Sequence, residues 1–404
     1  MSGRSVVRRV LLAKAIRGLG DGFVSLLLPL YLLDLGFGPL QVGVIATATL
    51  LGSGMMTLGA GLHAHRWHSR SLLLAAALLM AATGLGFAGV VDFWPLLLIA
   101  IVGTLNPSSG DVSVFLPLEH AVLSHTAGDK ERTAIFARYS LVGTLAAGVG
   151  SLGAALPAII APAAGISLRT ALQSMFLLYA ALGLLVWWVY RGLPPRGSGD
   201  APAPAAPLRE ARKRIIVLAA LFSLDAFGGG FVVQSMVALW LYQRFGMSLE
   251  VTGVLFFWTG MLTAVSYLIA VRIARRIGLV NTMVFTHLPS SVCLILIPLV
   301  PDVGWAIALL LVRSALSQMD VPTRSSYVMA IVPPAERPAA ASMTSVPRSL
   351  AAAASPALAG YLLSVSTFGW PLIVAGALKI VYDLLLLGFF RKVRPPEEQR
   401  SADS

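Results

Sequence analysis

Apolar runs long enough to cross a bilayer follow one another along almost the whole chain, with short polar connections between them. A bilayer-spanning helix needs about 20 mostly apolar residues, and roughly twelve runs reach that length if some tilt is allowed. In the first half they lie near 10–33, 40–63, 72–91, 95–120, 133–157 and 170–190. In the second half they lie near 215–241, 250–271, 280–299, 303–328, 338–363 and 371–390. This pattern predicts an all-α membrane protein.

One long internal stretch, residues 191–214, breaks the pattern because it could not lie in hydrocarbon. It reads RGLPPRGSGDAPAPAAPLREARKR, and its prolines among small and basic residues are typical of a linker. The linker separates residues 1–190 from residues 215–392, and a polar tail, 393–404, follows. We therefore predict two six-helix bundles joined by a basic linker.

The composition excludes a soluble enzyme. Hydrophobic residues make up 57% of the chain and charged residues 12%, whereas soluble domains have about 45–50% and about 25%. The net charge of +12 does not indicate nucleic-acid binding, because the basic residues collect in the loops on one side of the predicted spans. Arg169 and Arg244 are the two that fall in loops on the other side. This asymmetry predicts a multi-pass protein of the plasma membrane, expected to be a bacterial inner membrane, with both termini and the linker in the cytoplasm.

Neither a metal site nor a catalytic centre is expected. The single Cys293 excludes an internal disulfide and a cysteine-based metal site. The histidines His63, His65 and His68 lie in a basic loop and would face different ways on a helix, which is unfavourable for a cation. No phosphate-binding glycine loop, kinase motif or nucleophile elbow occurs. We expect no enzyme activity and no cofactor.

The two halves contain the same short patterns at corresponding places, as expected for a duplicated chain. The matching pairs are Asp111-Val112 and Asp320-Val321, and Glu131-Arg132 and Glu336-Arg337. Parallel repeats of this kind are typical of one large class of secondary transporters.

The loop between the second and third spans carries a resemblance to a known family. Residues 61–70 read GLHAHRWHSR, which resembles the G-x-x-x-D-R-x-G-R-R signature of the major facilitator superfamily. Gly61, Arg66 and Arg70 match the signature, whereas His65 stands where the acid belongs. Because that acid helps to latch the outward-open conformation in the family, the resemblance implies a weaker or differently built latch here.

The echo of this loop in the second half, residues 271–278, keeps Arg276 and Gly278 and again lacks the acid. The resemblance implies two six-helix bundles that rock about a central cavity lined mainly by spans one, four, seven and ten. The signature of proton-coupled members in span four is degraded, because Asn106 stands where an arginine belongs. The resemblance therefore supports the fold of the family more strongly than it supports proton coupling.

Polar residues inside the spans need a reason, because each ionisable one costs about 2.5–3.5 kcal/mol on insertion scales. Two readings remain open for the acids: Asp21 is a proton or substrate site tuned by Arg17 or simply neutralises it, and Asp225 is a similar site or a packing contact. We assign these residues to the substrate or proton pathway: Arg17, Asp21, Asn106, Asp111, Asp225, Gln234, Arg313, Gln318 and Asp320.

Several charges are better explained as structural pairs. Asp320 and Arg324 stand four residues apart, which places them on one helix face within reach of an ion pair, and Lys379 and Asp383 have the same spacing. Buried charges require partners. The remaining basic residues in spans five and eleven, expected to neutralise Asp111 or Asp320 across helices, are Arg138 and Arg348.

Two functional hypotheses follow. The first is a secondary active transporter that binds a small organic solute at the midplane between the bundles and moves it by alternating access, with proton coupling. Arg17 and Arg313 make an anionic or zwitterionic solute compatible, and import, efflux and uniport remain open. The second is a non-transporting membrane sensor or partner-binding protein on the same fold. The expected partners are the solute, protons and the lipid bilayer, without nucleic acid, and we expect a monomer.

Overall fold

The computed structural model describes residues 3–63, 68–108, 113–126, 129–194, 212–333 and 336–391. Within these ranges the chain forms sixteen α-helices and two 3-10 helices, η1 and η2, and no strand. Nine helical segments in the described ranges are long and apolar enough to cross a membrane, and Phe93–Val102 and Val303–Leu316 are shorter apolar helices. The predicted all-α membrane fold with roughly twelve spans is confirmed.

The helices follow the predicted spans in order. In the first half they are α1 (Gly3–Asp34), α2 (Pro39–His63), α3 (Ser69–Gly89), α4 (Phe93–Val102), α5 (Phe115–Thr126), α6 (Asp129–Leu152), η1 (Gly153–Ala155), α7 (Leu156–Ala164) and α8 (Leu168–Arg191). In the second half they are α9 (Arg212–Gly230), α10 (Gln234–Phe245), α11 (Leu249–Ile277), α12 (Leu279–Leu296), η2 (Ile297–Leu299), α13 (Val303–Leu316), α14 (Asp320–Ala330), α15 (Arg337–Val365) and α16 (Trp370–Phe390).

Predicted spans four, seven and ten are each built from two helices: α4 and α5, α9 and α10, α13 and α14. Span seven breaks after Gly230, the last of three consecutive glycines, because glycine favours a helix interior less than other residues do. Broken helices leave backbone groups that must be satisfied inside a membrane. One such group at the break in span four is satisfied, because Ser235 N, in the first turn of α10, donates to Pro107 O at 3.1 Å.

The chain divides into two compact units. Unit one contains residues 1–201 and 233–260, and unit two contains residues 202–232 and 261–404. The domain division predicted at the linker, 191–214, stays a prediction. In unit one α1 packs against α6 and α8, and in unit two α9 packs against α15 and α16 while α12 packs against α16.

Close helix packing in each unit depends on glycine. A Cβ atom at Gly22 in α1 would collide with the carbonyl oxygen of Ala147 in α6, and one at Gly230 in α9 would collide with that of Ala352 in α15. Small residues at such crossings let two backbones approach closely within a membrane. The core of unit two lies beside the second crossing and includes Ile215, Leu218, Phe222, Met283, Val284, Tyr327, Tyr382 and Leu386.

Candidate functional site

Four helices of unit two bring six ionisable side chains into one buried group, which we call the ionic network. It draws one residue from α9, one from α12, two from α14 and two from α16. Each of the six residues is buried, so the charges are held away from water. The network consists of Asp225, His287, Asp320, Arg324, Lys379 and Asp383.

Asp225 is the centre of the ionic network. Lys379 Nζ donates to its Oδ1 at 2.7 Å, and Arg324 Nη2 donates to its Oδ2 at 3.0 Å. His287 Nε2 lies 3.6 Å from the same Oδ1 atom. Because the side chain of Asp225 is only 5% exposed, these contacts replace its hydration. Asp225 is therefore bonded to neighbouring helices, as one of its two readings expected. Its role as a proton or substrate site stays a prediction.

The predicted pair between Asp320 and Arg324 is present on α14. The same guanidinium bridges to Asp225 and lies over the ring of Phe222, 5.1 Å from its centroid. Arg348 makes no ion-pair contact with a described residue, but its guanidinium interacts electrostatically with Asp225 and Asp320, so the role expected for it stays a prediction. Arg324 pairs with Asp320 from one turn away on the same helix.

The expected pair between Lys379 and Asp383 is wrong. Lys379 bonds to Asp225 instead, and Asp383 lies against His287, whose Nδ1 is 2.9 Å and 3.1 Å from the two carboxylate oxygens. A spacing of four residues places two side chains on one helix face, but both of these point into the bundle, where other helices offer opposite charges. The sequence reasoning missed His287, although an ionisable residue within an apolar span is itself a signal.

Arg313 stands apart from the ionic network. It lies half-buried in the last turn of α13, its Nε atom is buried without a hydrogen-bond partner, and it forms no ion pair with the residues that the structure describes. Gln318 lies half-buried in the connection between α13 and α14. A guanidinium group presents a fork of donors that matches a carboxylate or phosphate, so this position can accept an anionic group.

Unit one contains a smaller buried group, which we call the Glu119 cluster. Arg17 in α1 pairs with Glu119 in α5, and the hydroxyls of Tyr139 and Tyr190 donate to the same carboxylate at 2.5 Å and 2.6 Å. Arg17 also lies over the ring of Phe115, 4.0 Å from its centroid. The ion pair of Arg17 is therefore with Glu119, and Asp21, half-buried on the same helix, adds an electrostatic attraction to Arg17, so both readings of Asp21 stay predictions. The sequence analysis assigned no role to Glu119, which carries the signal of a carboxylate inside a span.

The remaining pathway residues of the first half lie in different surroundings. Asn106 is buried, and its Oδ1 accepts from the backbone and hydroxyl of Ser108 at 3.1 Å and 2.8 Å, which orders the break in span four. Gln234, at the start of α10, donates to Ser151 Oγ at 3.5 Å. Arg138 is exposed and forms no ion pair in the described ranges, and Asp111, its expected partner, lies outside them.

Part of the loop motif can be placed. Gly61 is in α2, whereas His65 and Arg66 lie outside the described residues. Arg70 Nη2 donates to the carbonyl oxygen of Arg191 at 2.9 Å, so it caps the end of α8, where cations are favourable. In the second half, Arg276 is exposed in the last turn of α11, and Gly278 has a φ of 85°, which favours glycine.

Two solved structures of membrane transporters share the fold of this chain. The xylose transporter XylE from E. coli matches with a TM-score of 0.72 and 14% identity, covering 98% of this chain and 99% of that one. The human organic anion transporter MFSD10 matches with a TM-score of 0.64 and 18% identity, covering 96% of this chain and 100% of that one. At these identities the likeness establishes the fold.

Sequence comparison extends the relationship beyond the fold. An uncharacterised membrane protein of Saccharomyces cerevisiae, YJR124C, is 25% identical over 93% of this chain and 92% of its own length. The model of the Major Facilitator Superfamily matches residues 10–319 and 218–404. The protein therefore belongs to the Major Facilitator Superfamily.

Proposed function

We propose that the protein is a secondary active transporter of a small organic solute, working by alternating access and coupled to protons, in a plasma membrane with both termini in the cytoplasm. The observation that carries the proposal is the ionic network, six ionisable side chains buried among the apolar helices of unit two. Buried ion pairs add little stability compared with apolar packing, and ionisable residues within membrane helices usually belong to substrate or proton pathways. A protein that only anchors a partner has no use for such a group.

The solute that fits this chain best is an organic anion. Arg313 supports this choice, because it is a cation within an apolar helix with no counter-charge among the described residues. A carboxylate or phosphate of the solute would supply the missing partner. The related fold of a human protein that is named an organic anion transporter is compatible with this class.

The test is proton flux into proteoliposomes that contain the purified protein and a pH-sensitive dye. Organic anions are added outside, with amino acids and cationic drugs as comparison panels. We expect proton movement with one or more anions, and its loss in the Asp225→Asn variant. Arg244→Gln, which changes a basic residue in a predicted loop, is the matched control and should leave the flux unchanged.

Counterflow of radiolabelled solutes separates the alternatives. A solute that exchanges without moving protons would identify a uniporter and contradict proton coupling. If no solute exchanges at all, the alternative hypothesis, a membrane sensor or partner-binding protein on this fold, replaces transport.

A further inference from the structure

Three arginine side chains come together at one end of unit one, where α1 and α3 begin and α8 ends. Arg9 in α1 is half-buried, and its Nη1 donates to the carbonyl oxygen of Val189 at 3.4 Å. Arg70 in α3 donates to the carbonyl oxygen of Arg191 at 2.9 Å. Both guanidinium groups are therefore held against the last turn of α8, whose final residue is itself Arg191. We call Arg9, Arg70 and Arg191 the arginine triad.

The arginine triad carries three positive charges without an acid beside them. None of the three side chains forms an ion pair with a residue that the structure describes. The buried Nε atom of Arg70 also lacks a hydrogen-bond partner within the described chain. Carbonyl oxygens at the end of a helix carry only a partial negative charge, so they position the guanidinium groups without neutralising them. Like charges held together in this way attract an anion.

A glycine makes room for one member of the triad. Gly192, directly after α8, has a φ of −82°, which other residues also adopt, so its backbone conformation does not require glycine. A Cβ atom at this position would instead collide with the guanidinium of Arg9. The side chain of Arg9 therefore lies directly on the main chain of Gly192. This contact fixes the position of the charge, as expected for a specific site and not for a loose basic surface.

The surroundings of the triad favour a phospholipid head group over a soluble anion. The Arg191 guanidinium lies over the ring of Trp187, 4.9 Å from its centroid. Leu184 and Trp188, which share this face of α8 by their spacing, are 52% and 66% exposed. Indole rings at the head-group level with apolar residues deeper in the helix are typical of a surface that faces lipid. A phosphate group on the triad would thus have its acyl chains beside an apolar helix face.

We propose that the arginine triad is a binding site for an anionic phospholipid, with the phosphodiester held by the guanidinium groups and the acyl chains lying along α8. Arginine suits this ligand because its planar fork of donors matches phosphate oxygens. Basic pockets between membrane helices bind the head groups of anionic lipids in the same way. A zwitterionic lipid is a weaker match, because its choline group would meet the same three cations. The site lies within unit one and holds whether or not the protein transports a solute.

Native mass spectrometry of the purified full-length protein tests this site. Detergent micelles are supplied with phosphatidylglycerol or phosphatidylcholine of the same acyl chains, and the lipid bound to the protein is counted. We expect phosphatidylglycerol to bind more tightly than phosphatidylcholine, and Arg70→Gln to weaken its binding about fivefold, the value of one basic side chain near an anionic membrane surface. The matched control is Arg275→Gln, which removes an exposed charge in the last turn of α11 in unit two and should leave the binding unchanged.

A second variant keeps every charge. Gly192→Ala displaces the guanidinium of Arg9 without altering the net charge, so it should weaken the binding of phosphatidylglycerol about as much as Arg9→Gln, which removes that charge. Its control is Gly388→Ala in α16, where a Cβ atom would meet open space, and this change should have no effect. Arg9→Gln also replaces Gly192→Ala in the test if the alanine variant fails to fold.

Three results would overturn the proposal. Equal binding of the two lipids by the wild type would mean that the triad does not select an anionic head group. Wild-type binding in Gly192→Ala, together with equal weakening in Arg9→Gln, Arg70→Gln and Arg275→Gln, would mean that the overall positive charge attracts the lipid without a site. Complete displacement of the lipid by an excess of inorganic phosphate would identify the ligand of the triad as a soluble anion.

Discussion

The Glu119 cluster of unit one and the ionic network of unit two are both buried groups of charge, but they differ in arrangement. In the Glu119 cluster one carboxylate meets one guanidinium and two tyrosine hydroxyls, so Glu119 is satisfied from three sides. In the ionic network three carboxylates form ion pairs with Arg324, Lys379 and the His287 imidazole, and Arg348 adds an electrostatic attraction to Asp225 and Asp320. The Glu119 cluster is centred on one acceptor, whereas the carboxylates of the ionic network share their partners across four helices. This difference favours a structural role for the first group and supports the proposed place of the second in the transport pathway.

The strongest way to break this comparison is the variant Asp225→Asn. It leaves Lys379 and Arg324 without a shared carboxylate, and breaking a buried pair costs about 3–5 kcal/mol. We expect a large fall in the thermal unfolding midpoint together with the loss of proton movement. Thermal unfolding in detergent and dye-reported proton flux measure the two effects.

A double variant tests whether stability and coupling separate in the ionic network. Replacing Lys379 by Met in the Asp225→Asn background removes the stranded ammonium and should recover part of the stability. Proton movement should stay absent, because Asp225, the carboxylate at the centre of the network, is still missing. Recovery of both properties would mean that the network is only structural.

The second largest effect is expected in unit one, from Glu119→Gln. This substitution removes the ion-pair partner of the Arg17 guanidinium and replaces one acceptor oxygen of the carboxylate with an amide group that donates. We expect a cost of about 3–5 kcal/mol in the free energy of unfolding. Adding Arg17→Met should restore both stability and solute transport, because the comparison favours a structural role for this cluster. Restored stability without restored transport would contradict the difference between the units and return Arg17 to the transport pathway.

These two groups also show what the sequence could reveal. The spans were readable because bilayer thickness sets the length of an apolar helix, and the pair of Asp320 with Arg324 was readable because helix geometry alone brings the two together. The partners of Lys379 and Asp383 depend on which helix faces meet, and spacing along one helix does not contain that information. His287 and Glu119 were each detectable as ionisable residues inside a span, but their roles depend on partners about a hundred residues away, as in the pair of Arg17 with Glu119.

A substitution at Arg313 should have a smaller effect. Thermal stability should stay the same or rise slightly, whereas solute binding should weaken. The variant Arg313→Gln removes a half-buried cation that has no ion pair in the ranges that the structure covers, so unfolding should occur at the same or a slightly higher temperature. Binding of an anionic solute should weaken about ten- to a hundredfold, the value of one or two charge-assisted hydrogen bonds. Ligand-dependent shifts of the unfolding midpoint measure both. Arg348→Gln is the matched control, and equal weakening in the two variants would contradict a specific anion contact.

The smallest effect comes from an ion pair of the same chemistry placed outside the buried groups. Arg169 Nε donates to Asp34 Oδ2 at 2.8 Å and its Nη2 donates to Asp34 O at 2.6 Å, but the two side chains are 50% and 30% exposed. Water and salt screen such a pair, so Arg169→Gln should cost only about 0.2–1 kcal/mol, and less as ionic strength rises. Unfolding midpoints at low and high salt measure this. If the loss matched that of Glu119→Gln, burial would not be what separates the exposed pair from the buried ones.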